Sequence, residues 1–305
     1  MNRIHLAALA AAFTVLAAAA QAQAQQTRDF SKVVIKTTDL GHRTYMLAGE
    51  GGNMTAIVGA DGVILVDGEF LPLHDKIRAA LAALSPAPVR YLVNTHFHGD
   101  HSGGNAGFAA EGTVVVAHVN VRNRLAAGTT NGLTGAKTPP AAPAALPAEI
   151  YTDTMTLTLK DRSAWLAHIA NAQTDGDTYV YVADADVLAT GDIVTLGTRY
   201  PNIDFANGGS IDGMIAGVDA YLKLVDDKTK IVPGHGPLAN KAVLVEYRAM
   251  LATARDRVAK LIGEGKSESE VVPARPLADY DAKIGASEQA SANFLRVVYN
   301  SLKRG

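Results

Sequence analysis

The chain contains no cysteine. No disulfide staples it, even in an oxidising compartment, and no thiolate is on hand as nucleophile or metal ligand. Basic residues are not in excess either: 28 Lys and Arg stand against 30 Asp and Glu, for a net charge of −2. That balance argues against a nucleic-acid partner, which calls for a cationic face. No basic cluster marks a highly anionic substrate. No Gly-x-Ser-x-Gly elbow is present, so a serine hydrolase has no support. After the first two dozen residues, no apolar run is long enough to cross a hydrocarbon layer of roughly 30 Å.

The first two dozen residues are different. Asn2-Arg3 gives a short positive start, Leu6 to Ala20 is an apolar run rich in Ala and Leu, and Ala20-Gln21-Ala22 and Ala22-Gln23-Ala24 offer small-x-small cleavage sites. This is the pattern of a secretory signal peptide. Its apolar core is short for a membrane anchor. Residues 1–24 are therefore expected to be removed, leaving 25–305 as a single exported domain, in a bacterial periplasm, without stable membrane association.

Within that domain, strands are expected at 33–36, 44–47, 54–58, 63–66, 89–93 and 114–117. Turns rich in Gly, Asn and Asp separate several of them. Helices are expected at 73–84 and 119–125. Gly128 to Pro147 reads as a long loop bordering a functional groove. The second half repeats the logic, with strands at 155–159, 164–169, 178–182 and 187–189 and an apolar pair at 231–232. Helices are expected at 211–225, 239–262 and 287–302, the first of them capped by Ser210. Strands precede helices in each half, which predicts one α/β domain with sheets inside and helices outside.

The most informative stretch is His96-Phe97-His98-Gly99-Asp100-His101, directly after the apolar run Val89 to Val93. Imidazole and carboxylate at such density are what a zinc-type ion requires. His96 and His98 alternate with Phe97 and project to one side. Asp100 and His101 follow a turn later, which suggests two adjacent metals. Three later segments match in type: Asn171-Ala172-Gln173-Thr174-Asp175-Gly176-Asp177, Ala189-Thr190-Gly191-Asp192 and Val232-Pro233-Gly234-His235-Gly236. Each sits at a strand end or glycine turn, where loops converge. Of the remaining histidines, His42 and His74 read as surface residues and His118 as structural.

The His-x-His-x-Asp-His motif, with the later Gly-Asp192 and Gly-His235-Gly segments in the same order, resembles the metallo-β-lactamase superfamily over essentially the whole mature length. The resemblance implies an α/β (α+β) fold, an αββα sandwich, with zinc in a groove at the sheet edges. It assigns His96 and His98 to a first metal, Asp100, His101 and His235 to a second, and Asp192 to a bridge. Asp67, in Ile64-Leu65-Val66-Asp67, matches a carboxylate placed behind the metal histidines, where it fixes imidazole tautomer and orientation. Asp175 and Asp177 fall into supporting places. One position departs from the pattern. Gln173 stands where the family has a histidine, and an amide is a weaker zinc ligand than imidazole. His168, five residues earlier, is an alternative ligand if it points inward.

Such a site activates water against a carbonyl, with Asp100 orienting the water or accepting its proton. Asp192 in place of a cysteine ligand resembles the wider hydrolase branch, which includes thioesterases and lactonases. Export favours a small-molecule β-lactam, lactone or ester met outside the cytoplasm. Tyr200 and Asn207 are candidate substrate contacts. Two alternatives stay open: a glyoxalase II-like thioesterase, and a metal-binding protein of the same fold with little or no catalysis. One or two zinc ions are expected.

Overall fold

In the computed structural model, residues 28–304 are described. The expected signal peptide lies outside them. Short strands dominate the first half: β1 Lys36–Asp39, β2 Thr44–Ala48, β3 Met54–Val58, β4 Val63–Val66, β5 Val89–Asn94, β6 Val114–His118, the two-residue pair β7 Thr129–Thr130 and β8 Lys137–Thr138, and β9 Glu149–Tyr151. Interspersed are α1 His74–Ala82, α2 Gly99–Ser102, α3 Asn105–Ala110 and α4 Val119–Ala127. The second half adds β10 Thr154–Thr158, β11 Ser163–His168, β12 Thr178–Val182, β13 Val187–Ala189 and β14 Lys230–Val232. Its helices are α5 Ile211–Leu224, α6 Lys241–Gly263, α7 Glu268–Val271, α8 Ala278–Ile284 and α9 Glu288–Arg304.

Seven strands form one sheet in the order β1-β2-β3-β4-β5-β6-β9, and five form another in the order β10-β11-β12-β13-β14. The first sheet is antiparallel from β1 to β4 and parallel from β4 to β9. In the second only β13 and β14 run parallel. Strands β3 and β4 are buried along their whole length, which is why they read as unbroken apolar runs rather than as alternation. Ile57, Ile64, Val66, Val93 and Val116 of the first sheet pack with Leu157, Leu166, Val180, Val182 and Val232 of the second. The second sheet's other face meets helices: Leu188 and Ile231 share a core with Met214, Val218, Tyr221, Leu251, Val258, Phe294 and Val298. On the first sheet, α3 packs against β5 and β6. The layers are helix, sheet, sheet, helix, and Val34–Gly305 is one compact unit.

Three expectations shift. The first strand forms three residues later than read, at Lys36–Asp39, and is exposed throughout. The Gly128 to Pro147 stretch is not structureless, since β7 pairs with β8 inside it. Strand β9 and the short helices α2, α3, α7 and α8 were not anticipated, because four to seven residues are too few to display a helical period. Ser210 caps α5 as expected, accepting from the Gly213 N–H at 2.9 Å.

His118 and His168 end β6 and β11, one on each sheet, and their rings stack at 3.7 Å between centroids. His118 also caps α4 by accepting from the Asn120 N–H at 3.3 Å. Burial, with the neighbouring His168, pushes the His118 imidazole down to about 4. The unfolded chain takes that proton near pH 6.5. Between those values the unfolded state binds more protons, so stability falls as pH drops through the window. His118→Asn keeps a capping acceptor and removes the titration. It should reduce the acid-induced loss of stability by about 1–2 kcal/mol, allowing for solvent screening. Urea midpoints at pH 7.5 and 4.5 measure this, and an unchanged pH dependence in the variant would refute it.

Candidate metal centre

The site is built where β4 and β5 end side by side. Asp67 leaves β4 in the left-handed region, at φ +61. Its Oδ1 accepts from the Thr95 N–H and its Oδ2 from the Thr95 hydroxyl, both at 2.8 Å. His101 Nδ1 lies 2.8 Å from the same Oδ2 and donates to it. The Thr95 hydroxyl, having donated to Asp67, accepts from His96 Nδ1 at 3.0 Å. Asp67 and Thr95 therefore fix a proton on Nδ1 of each imidazole and turn Nε2 forward, where a bound metal would displace any proton it carries. His96 Nε2 is buried with no hydrogen-bond partner.

The second sheet supplies the rest. Parallel pairing of β13 with β14 sets the Gly191-Asp192 and Pro233-Gly234-His235 loops against each other, and Gly234 N–H donates to Gly191 O at 2.8 Å. Asn53, just before β3, ties the first sheet to the second of these loops. Its N–H donates to Gly234 O at 2.7 Å, and its Nδ2 donates to Pro233 O at 2.8 Å and Gly236 O at 3.0 Å. Glycine is required at two close approaches. A Cβ on Gly234 would strike the Asp192 carboxylate, and one on Gly52 would strike the His101 ring.

Four donor atoms converge. His235 Nε2 is 3.3 Å from Asp100 Oδ2, 3.4 Å from Asp192 Oδ1 and 3.4 Å from His101 Nε2. His101 Nε2 is 3.1 Å from Asp192 Oδ1 and 3.9 Å from Asp100 Oδ2. The donors form two overlapping groups that could each hold a metal ion, Asp100 with His101 and His235, and His96 with His101 and Asp192. His96 Nε2 lies 3.8 Å from the other oxygen of Asp192. The charges are mutually adapted. Burial opposes a proton on His101, yet Asp192 and Asp67 together hold its pKa well above the ordinary value. For His235, burial is likewise outweighed, by Asp192 and Asp100, and its pKa rises to about 9. Burial works against ionised Asp192, but His101 and His235 hold its pKa well below the usual carboxylate range. Asp100 is lowered against its own burial by His235 and His101. For His96, burial and the neighbouring His101 outweigh Asp192 and hold it well down.

His98 stands apart from these donors. Its Nε2 donates to Asp204 Oδ2 at 3.0 Å, and its Nδ1 accepts from the Gln173 amide at 3.1 Å. Both ring nitrogens are thus engaged, and the expected pairing of His96 with His98 around one ion is not what the structure gathers. His96 instead groups with His101 and Asp192, and Asp100 with His101 and His235. Gln173 is fully buried, with its Oε1 lacking any donor.

Other expected residues also have different surroundings. Asp175 pairs with Arg124 at 2.7 Å and touches no metal-site histidine. Asn207 is buried, donating to both Asp204 oxygens at 2.9 Å, so it positions Asp204 rather than meeting substrate. Tyr200 does line the cavity, but its hydroxyl donates to Asp281 at 2.8 Å and its ring stacks on Phe294. His168 stacks on His118 and faces Asp177 O, away from the donor set. His74 is half-buried, edge-on to Phe108 and paired with Glu111, not a free surface residue.

The centre opens into a cavity of about 290 Å³ lined by His98, Asp100, Asp192, Thr195, Arg199, Tyr200, Asn202 and His235. Thr195 and Arg199 were missed, as were Asn53 and Thr95. Polar residues in loops carry no periodic signal, and only the fold brings them here. From the 128–147 segment, Asn131, Leu133 and Thr134 line an adjoining space that shares Arg199, Tyr200 and Asn202 with this cavity.

The model of the metallo-beta-lactamase superfamily matches residues 47–235, from β2 to the last of these histidines. The chain belongs to that superfamily. Its members are generally metal-dependent hydrolases. Among solved structures the fold is similar to the stereoselective inverting sec-alkylsulfatase Pisa1 from a Pseudomonas species, at 18% identity and a TM-score of 0.63. That match covers 87% of this chain and 50% of the sulfatase, so the superfamily chain described here spans about half the sulfatase's length. It is also similar to the DIM-1 metallo-beta-lactamase, at 14% identity and TM-score 0.58, covering 73% of this chain and 100% of that one. A metallo-beta-lactamase from Pontibacter korlensis matches at 16% identity and TM-score 0.56, over 72% and 99%. No curated protein sequence matches significantly. Among the described residues no helix is long and apolar enough to cross a membrane.

Proposed function

We propose that this superfamily member is an exported zinc-dependent hydrolase that opens a small carbonyl substrate, a β-lactam, lactone or ester, at one metal centre held by Asp100, His101, Asp192 and His235. The observation that carries the reading is the convergence of Asp100, His101 and His235, with Asp192 beside both histidines, at an open cavity. A bound zinc would polarise the carbonyl and lower the pKa of water toward about 7. Asp67 holds His101 in the tautomer that presents Nε2. Asp192 supplies buried negative charge between His101 and His235. Asp100 is the most exposed member of the set, with 30% of its side chain accessible, and it lines the cavity as a carboxylate able to orient a water or take its proton. His98, kept from the donor set by Gln173 and Asp204, forms one wall of the cavity and presents its ring to substrate.

The test joins metal analysis to a hydrolysis screen on the mature protein. One zinc per chain is expected by native mass spectrometry. Slow, zinc-dependent turnover of at least one class is expected in a panel of penicillins, cephalosporins, carbapenems, lactones, esters and thioesters. Zinc binding with no turnover on any class would replace the enzyme with a metal-binding protein of the same fold.

A further inference from the structure

Beside the metal cavity lies a second, apolar groove of about 130 Å³. Helices α6 and α8 form it with the loop after Asp192: Leu196, Val243, Met250, Tyr280 and Ile284 supply its apolar walls. The two spaces adjoin, since Thr195 and Arg199 line both. The Tyr247 hydroxyl braces the junction by accepting from the Thr195 N–H at 3.4 Å. At the outer end, Lys283 and Glu246 close the rim with an ion pair at 2.9 Å. Val243 sits in the first turn of α6 and is 38% exposed, an apolar side chain turned toward the groove and solvent rather than into the core.

We propose that this groove is a binding subsite for an unbranched aliphatic tail on the substrate whose reactive head sits at the metal centre. The inference rests on the metal-centre reading above. Its grounds are the polar head cavity, the shared junction and the apolar groove, in that order. The volume sets the length of the tail. At about 130 Å³ the groove is small, which limits the tail to a short run of methylenes. Each methylene withdrawn from water into it should tighten binding roughly threefold to fourfold.

The probe is a series of linear alkyl hydroxamates, from two to ten carbons, titrated calorimetrically into the zinc-loaded protein. The hydroxamate head chelates the metal without needing turnover. Affinity should climb roughly threefold to fourfold per methylene over the first few and then level off. Val243→Lys, at a partly exposed position, should flatten the climb while leaving acetohydroxamate affinity unchanged. Val245→Lys, on the same helix, 50% exposed and not among the groove residues, should leave the whole series unchanged. A flat series in the wild type, or a climb that survives Val243→Lys, overturns the subsite. Failure of even acetohydroxamate to bind overturns the metal-centre reading itself, which separates the two.

Discussion

Alanine at His235 should leave the chain folded and unable to hold its metal. His235 contributes one of four convergent donors, from a loop that Asn53 and the β14 pairing hold independently of the imidazole. Its side chain is 13% exposed and edge-on to the His101 ring, so its loss costs some packing, less than loss of the fully buried His101. What remains is a three-donor set rich in carboxylate, a poor match for zinc. Loss of a supporting partner alone typically lowers metal affinity 10- to 100-fold, so loss of the ligand should exceed about 100-fold. His101→Ala should empty the centre as well, but at a structural cost. It leaves Asp67 and Asp192, both buried, without their shared cation, and stripping the partner from a buried pair costs about 3–5 kcal/mol. The two variants should thus agree in zinc content by elemental analysis and differ in thermal midpoint. Unchanged zinc content in both would remove these residues from the metal site.

The contrast between those variants also shows what a sequence discloses. The histidine turn was legible because its ligand types crowd into six residues after an apolar strand, and β4, β5, β13 and β14 were legible because buried strands read as apolar runs. The meeting of the Asp192 and His235 loops was expected from their strand-end, glycine-turn placement and from the resemblance. Its physical cause is the parallel pairing of β13 with β14 and the clasp from Asn53, 180 residues away from the Pro233 carbonyl it binds. Side-chain partners over such distances leave no local trace. Asp204 takes His98 from 106 positions away, and Asp281 takes the Tyr200 hydroxyl from 81. Tyr200 and Asn207 lie close to the site in sequence and in space, which made them plausible substrate contacts. Their polar groups nevertheless had better offers inside the protein, as buried polar groups must.

Gln173→His should convert a one-metal centre into a two-metal one. In the present arrangement the Gln173 amide donates to His98 Nδ1 while Asp204 accepts from Nε2, so the lone pair that His98 would offer an ion is taken. Close by, His96 Nε2 is buried without a partner, and Asp192 presents its second oxygen toward it at 3.8 Å. A histidine at 173 removes the amide donor, frees His98 Nδ1 and adds an imidazole, completing three nitrogens beside a bridging carboxylate. Zinc per chain should rise from one to two in native mass spectra at matched free zinc. Affinity for the added ion should gain on the order of 10- to 100-fold if a recovered ligand is worth at least a recovered supporting contact. Hydrolysis should rise where zinc is limiting. Gln173→Ala separates the two contributions, since it releases His98 without adding a ligand, and it should not bind the second ion. The opposing force is packing. Gln173 is fully buried and its carbonyl accepts from the Asp204 N–H at 2.8 Å, so a ring that misfits would disturb Asp204 and lower activity. A Gln173→His protein that still carries a single zinc would show that the amide is not what closes this half of the site.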